Sequence, residues 1–141
     1  MTQIPVEWPD GTKMALAYLR EQYPIAYPDD DPQPTFHRSR PATSSPSGIV
    51  TLVAVPQGRV TLISRTMSLV MTAQVVDEDG LDDVDAAYAL GARVLKLLHA
   101  WPSAAAQVVR VADGTGPTPA REAGESQREF QELTAQVEVQ R

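Results

Sequence analysis

The chain has 141 residues, enough for one ordinary domain, so a single core carrying loops is the expectation over the whole of residues 1–141. It holds no cysteine, which removes disulfides, thiolate catalysis and the usual structural zinc sites together. Its net charge of −6 argues against a dedicated nucleic-acid binder, whose affinity comes from Lys and Arg displacing phosphate counterions. Asparagine is absent, so no glycosylation sequon exists. No apolar run reaches the length of a membrane span, and the first residues lack a signal-peptide layout, which predicts a protein made in the cytoplasm without a membrane partner.

In chain order, Trp8-Pro9-Asp10-Gly11 precedes a helical stretch from Thr12 to Tyr23. Met14, Ala17 and Tyr18, with Leu16 and Leu19, fall on its expected buried side, Asp10 or Thr12 offers a cap, and Pro24 is expected to end it. The next passage, residues 24–47, holds half of the twelve prolines together with Asp29-Asp30-Asp31 and Thr43-Ser44-Ser45-Pro46-Ser47. Such a composition buries little apolar surface, so it reads as a long loop or an arm that orders on a partner, with a short extended piece at Thr35 to Arg40. His37, Arg38 and Arg40 form its one dense basic group and read as solvated loop charge.

Ile49 to Val55 is β-branched and nearly all apolar, which predicts a strand buried on both faces. Pro56-Gln57-Gly58 has turn chemistry, so a hairpin partner is expected from Val60. Between Val60 and Val76, Met67, Leu69, Met71, Ala73 and Val75 alternate with Thr66, Ser68, Thr72 and Gln74, placing an apolar column on one face and a polar one on the other. The apolar column needs a cover. Asp82 to Trp101 supplies it, with Val84, Ala87, Tyr88, Gly91, Leu95 and Leu98 at helical spacing.

Asp77 to Asp85 holds six carboxylates in nine residues. Its spacing misses an EF-hand, with Ala86 where the bidentate glutamate belongs, so the acids read as a cap from Asp82 or Asp83 and as company for the helix's positive end. Pro102 is expected to stop that helix, with His99 at its exposed carbonyls. Gln107 to Ala112 reads as a strand. A long loop at about 113–128 follows, whose Gly114 and Gly116 lack the third glycine and helix of a phosphate cradle. Leu133, Ala135, Val137 and Val139 alternate with Thr134, Gln136, Glu138 and Gln140 in a last, half-buried strand. The fold class is therefore α+β: a mainly antiparallel or mixed sheet of about four to five strands flanked by two helices. No nucleophile elbow, zinc-protease motif or phosphate loop is present, so no catalytic residue, cofactor or metal site is proposed and a structural role is favoured over an enzyme.

The order of these elements resembles the tail terminator proteins of long-tailed bacteriophages. The resemblance spans Met14 to Arg141 and is carried by the Ile49-Val50-Thr51-Leu52-Val53 strand, the turn at Gly58, the long Thr61 to Val76 strand, the acidic link, the alanine-rich Asp85 to Ala100 helix, the valine strand, the Gly-Pro loop and the closing Leu133-Thr134-Ala135-Gln136-Val137-Glu138-Val139. It implies a virion protein, assembled in the host cytoplasm as a hexameric ring that caps the head-proximal end of the tail tube. Its implied partners are the tail tube protein and a head-tail connector protein, with DNA passing through the lumen without specific binding. Interface candidates under that reading are Arg38, Arg40, Gln57, Arg59, Arg121 and Arg128. A head completion or connector protein on the portal side is the nearest alternative, and a small ligand-binding or enzymatic α+β domain is the alternative of another class.

Overall fold

The computed structural model describes residues 10–39, 48–60, 64–121 and 128–140, with the backbone alone at 58–60. Along the chain run α1 (Gly11–Ala26), β1 (Thr35–His37), β2 (Gly48–Val60), β3 (Ser64–Val75), α2 (Val84–His99), α3 (Trp101–Ala104), β4 (Val108–Asp113), β5 (Thr118–Arg121) and β6 (Glu129–Gln140). The six strands form one mixed sheet in the order β1-β2-β3-β6-β4, with β5 also paired to β6. Only β1 and β2 run parallel; the other pairs are antiparallel. Because β4 pairs with the second half of β6 and β5 with its first half, the two share one edge and the sheet is five strands wide. This is the α+β architecture expected, with one more helix and one more strand. No described helix is long and apolar enough to cross a membrane.

The alternation in β3 decides the layers. Met67, Leu69, Met71 and Ala73 are buried on one face, and their register partners there are Leu52, Val50, Leu133, Ala135 and Val137. Over this face lie α1 and α2. The buried stripe of α1 is Thr12, Ala15, Leu16, Leu19 and Tyr23, a 3–4 spacing that leaves Ala17 exposed, contrary to the expectation above. That of α2 is Ala87, Leu90, Gly91, Val94 and Leu98. Val84 and Tyr88, assigned to the covered side by spacing, instead point outward. Tyr18 stacks on Trp101 at 5.2 Å and donates its hydroxyl to the Leu97 carbonyl at 2.5 Å, fastening α1 to the end of α2.

Three boundaries and one burial pattern differ from the sequence expectation. Pro24 lies inside α1, near its end, where its missing N–H forgoes one bond, and the Tyr27 amide still closes onto the Tyr23 carbonyl. Pro102 opens α3 rather than stopping a helix, a position where no intrahelical donor is needed. Pro56, Gln57 and Gly58 are strand: β2 continues to Val60, absorbing a register shift between Pro56 and Val60, so the hairpin reverses after Val60. Finally, β2 is not buried on both faces, since Val53 and Val55 lie exposed on the side away from the helices.

Neighbouring β3 residues give the test. Leu69 is fully buried and Val70 is 45% exposed. Leu69→Ala should cost about 2–5 kcal/mol in urea unfolding, while Val70→Ala should change stability by no more than about 1 kcal/mol.

Candidate functional site

Two features of the described surface are built by distant parts of the chain. The first is the sheet face opposite the helices. Its polar residues are more enclosed than simple alternation suggests: Ser68 accepts a bond from Gln136 Nε2 at 3.2 Å, Gln74 donates to Asp82 at 3.0 Å, and the hydroxyls of Thr51 and Thr72 meet across β2 and β3. Ser68 and Gln74 are buried, so the polar column is only partly open to water. This face exposes Glu132 and Gln140 on β6 and, on β2 and β3, three valines. Val53, Val55 and Val70 are 42%, 41% and 45% exposed, and Val53 and Val70 are directly opposite one another in the register.

The second feature is an acidic corner where β3 ends and α2 begins. Asp77 folds the link by accepting the amides of Asp79 and Leu81 at 2.9 Å, and Gly80 takes φ +79°, a conformation glycine adopts without strain. Asp83 caps α2 by accepting the Ala86 amide at 3.0 Å, as Asp10 caps α1 through Lys13. Asp82, the other capping candidate, does different work. Its Oδ1 accepts Gln74 Nε2 at 3.0 Å and faces Arg128 Nη1 at 3.4 Å, and its Oδ2 accepts the Glu129 amide at 3.0 Å. One carboxylate thus ties the end of β3, the start of α2 and the start of β6. Burial works to raise its pKa, but the Glu129 amide, the Gln74 amide and the Arg128 charge outweigh that and hold it below the usual carboxylate value.

Beside this link the Asp29-Asp30-Asp31 turn closes a cleft of about 400 Å³, whose charged lining is Asp30, Asp31, Asp77, Glu78 and Arg93. Asp30 is held from two sides, by the Tyr23 hydroxyl at 2.5 Å and by Arg93 Nη1 at 3.0 and 3.2 Å. Burial and the bond to Asp30 push the Tyr23 hydroxyl up to about 12. Half of the eighteen acidic residues lie in residues 29–31 and 77–85. Counting Arg93 and Arg128, which these loops hold, the corner carries −7, so the rest of the chain together carries +1.

The candidate residues fall in different places. Arg121 pairs with Glu129 at 2.5 Å and Arg128 with Asp82, so both stand at the acidic corner with internal partners. Arg38 is at the opposite sheet edge, paired with Asp10 at 3.2 Å. Gln57 is exposed on β2 beyond the helices. Arg59 is in β2 with its backbone alone described, and Arg40, the Thr43 to Ser47 run and residues 122–127 lie outside the described residues. His99 pairs with Asp113 at 2.6 Å on the surface, joining the end of α2 to β4. Gly114 and Gly116 serve the broken edge: a Cβ on Gly114 would stand 2.2 Å from Thr134 Oγ1, and the Thr134 backbone bonds Gly114 and Thr115 within the β4–β5 break. Among the described residues no group of three or more His, Asp or Glu is placed to hold a metal ion.

Sequence reasoning missed the exposed valines and the role of Asp82. The valines looked like core by composition, and Asp82 was indistinguishable from its acidic neighbours until Gln74 and Glu129 were placed beside it.

Asp82→Asn should destabilise the protein by about 1–3 kcal/mol at pH 7, since Arg128 and the Glu129 amide lose a charged acceptor. Because the folded carboxyl has a lowered pKa, its contribution is complete above the unfolded value of about 4 and fades as pH falls through the folded one. Urea unfolding of both proteins should show a constant gap at neutral pH that narrows below about pH 4.

Neither a scan against models of known protein families nor a search of curated proteins finds a match to this chain.

Proposed function

We propose that this chain is a structural virion protein of the tail terminator kind, which caps the head-proximal end of a phage tail tube as a ring, stops tube growth and offers the surface to which the head attaches. The reading starts from the order of elements described for the sequence. The observation that carries it furthest is the sheet face with exposed valines in a domain whose two described sheet edges are both obstructed.

The obstruction is physical. At one edge β1 has only three residues, and Arg20 Nε and Nη2 donate to the Phe36 carbonyl at 3.2 and 2.6 Å. Past the end of β1, the Ala54 amide on β2 is taken by the Thr12 hydroxyl at 2.9 Å. At the other edge a register shift between Val108 and Arg110 bends β4, the strand breaks before Thr118, and Pro119 removes a donor from β5. Open edges invite endless strand addition, and these devices discourage it. A subunit that must end a polymer benefits from just this property: it binds the last tube ring through a face and offers no copy of the growing surface. An acidic chain also suits a channel that DNA crosses without sticking.

In the phage that encodes it, deletion should give filled heads without tails and tubes that have lost length control, and purified protein should restore joining to normal-length unjoined tails. The double variant Val53→Lys and Val70→Glu, an opposite-charge pair at exposed, facing positions, should melt close to the parent and fail to restore joining. Finished tails of normal length beside heads that leak DNA would instead place the protein on the portal side. Normal particles without it would end the assembly reading.

A further inference from the structure

The three exposed valines lie close to the place where the described chain begins. Asp10 caps α1, and its Oδ2 accepts Arg38 Nη2 at 3.2 Å. Two residues on, the Thr12 hydroxyl accepts the Ala54 amide at 2.9 Å, and a Cβ on Gly11 would stand 3.1 Å from the Ala54 Cβ. The start of α1 is therefore fixed against β2 past the end of β1, at the residue between Val53 and Val55. Arg38 also lines a groove of about 270 Å³ on the outer sheet face with Thr51, Thr72 and Phe130, so the Asp10–Arg38 pair marks where that face meets the helical side.

Residues 1–9, which lie outside the described residues, carry a matching apolar edge in their sequence. Ile4, Val6 and Trp8 fall at every second position, and Ile4 and Trp8 each precede a proline, which disfavours helix and favours extended backbone. Successive side chains of an extended chain point to opposite sides, so these three share one side and Glu7 takes the other. Reach narrows the choice of surface. Trp8 is two residues from Asp10, about 7 Å of extended chain, and Ile4 is six residues away, about 20 Å. Val53 and Val55 flank the attachment point, and Val70 faces Val53 across one strand spacing of about 5 Å. The other exposed apolar groups are farther off. Ile25 is at the far end of α1, about 20 Å along the helix, and Val109 is on β4, three strands from β2. Leu81 and Val84 stand near the end of the sheet where Val75 meets Gly48, six residues of β2 from Ala54 and about 20 Å away.

We propose that residues 1–9 fold back around the β2 edge and lay Ile4, Val6 and Trp8 on Val53, Val55 and Val70, so that the chain itself covers the apolar part of its outer sheet face. Burial of apolar surface drives the contact, and a tether of a few residues holds the segment at the valines at an effective concentration of about the millimolar range. The inference stands without the tail reading. It concerns the same valines, so a tail tube that bound them would first displace this segment.

The test is nuclear magnetic resonance on the full chain. Nuclear Overhauser contacts should join the Trp8 ring protons to methyl groups of Val53, Val55 or Val70 and should persist on dilution. In the triple variant Ile4→Ser, Val6→Ser and Trp8→Ser, which leaves every described residue unchanged, the methyl signals of the three valines should move while those of the buried Leu69 and Leu133 stay in place. The Val53→Lys and Val70→Glu variant should lose the Trp8 contacts and move the Trp8 indole signal toward that of an unfolded chain. The proposal is overturned if Trp8 makes no contact with these methyls, if its contacts map to α2 or to the Asp30–Asp77 cleft, or if the triple variant leaves the valine signals unmoved. It is equally overturned if a mixture of isotope-labelled and unlabelled chains shows the contacts between chains, because a second copy would then supply the segment. None of these readings needs the phage, so failure here leaves the joining experiments standing, and failure there leaves the fold-back standing.

Discussion

The structure depends on one constraint in β3: its side chains alternate, and it is hydrogen-bonded along both sides, to β2 and to β6. With both neighbours in place, the Met67, Leu69, Met71 and Ala73 column lies in the middle of the sheet and must be covered from one side. Both long helices go there. Burying the column against α1 and α2 leaves the other face without a layer of its own in the described chain, and Val53, Val55 and Val70 exposed on it. The one-sidedness that gives the domain its core thus also leaves these valines in water among the described residues.

A second consequence is the acidic link. The chain must leave the end of β3 and climb onto the core face to start α2 within a few residues, and Asp77, Gly80 and Asp83 make that path through turn bonds, a left-handed glycine and a cap. Bringing so many carboxylates together costs repulsion. Asp82 offsets part of it by turning inward to Gln74, the Glu129 amide and Arg128, and Asp30 does likewise with Tyr23 and Arg93. The acids left outside make the corner negative, and the exposed Leu81, Val84 and Tyr88 sit among them. Local folding chemistry and surface character here have the same origin.

What the sequence made legible was periodicity. The alternation in β3 and β6, the antiparallel pairing of β2 with β3 and the helical cover by α2 all follow from spacing, and they recur in the structure. Rotation about the helix axis was not legible, because α2 carries two apolar series, Ala87-Leu90-Gly91-Val94-Leu98 and Val84-Tyr88-Leu95, and only the sheet beneath decides which is buried. The hairpin end was misread because Pro56 and Gly58 also suit an irregular strand, and β5 was hidden by its proline. Arg121 and Arg128 could be singled out as charges in a loop. Their partners Glu129 and Asp82 could not, since the Asp82 contact joins residues 46 apart in sequence.

Native-state hydrogen exchange tests the central claim most directly, because amides that open only on global unfolding mark the elements on which the rest depends. If β3 organises the domain, the slowest amides should be those of Leu69 to Ala73 and their partners in β6 and in the Val50 to Ala54 part of β2, with β1 and β5 exchanging earlier through local opening. Slowest exchange confined to α1 and α2, with the β3–β6 ladder opening first, would contradict the account.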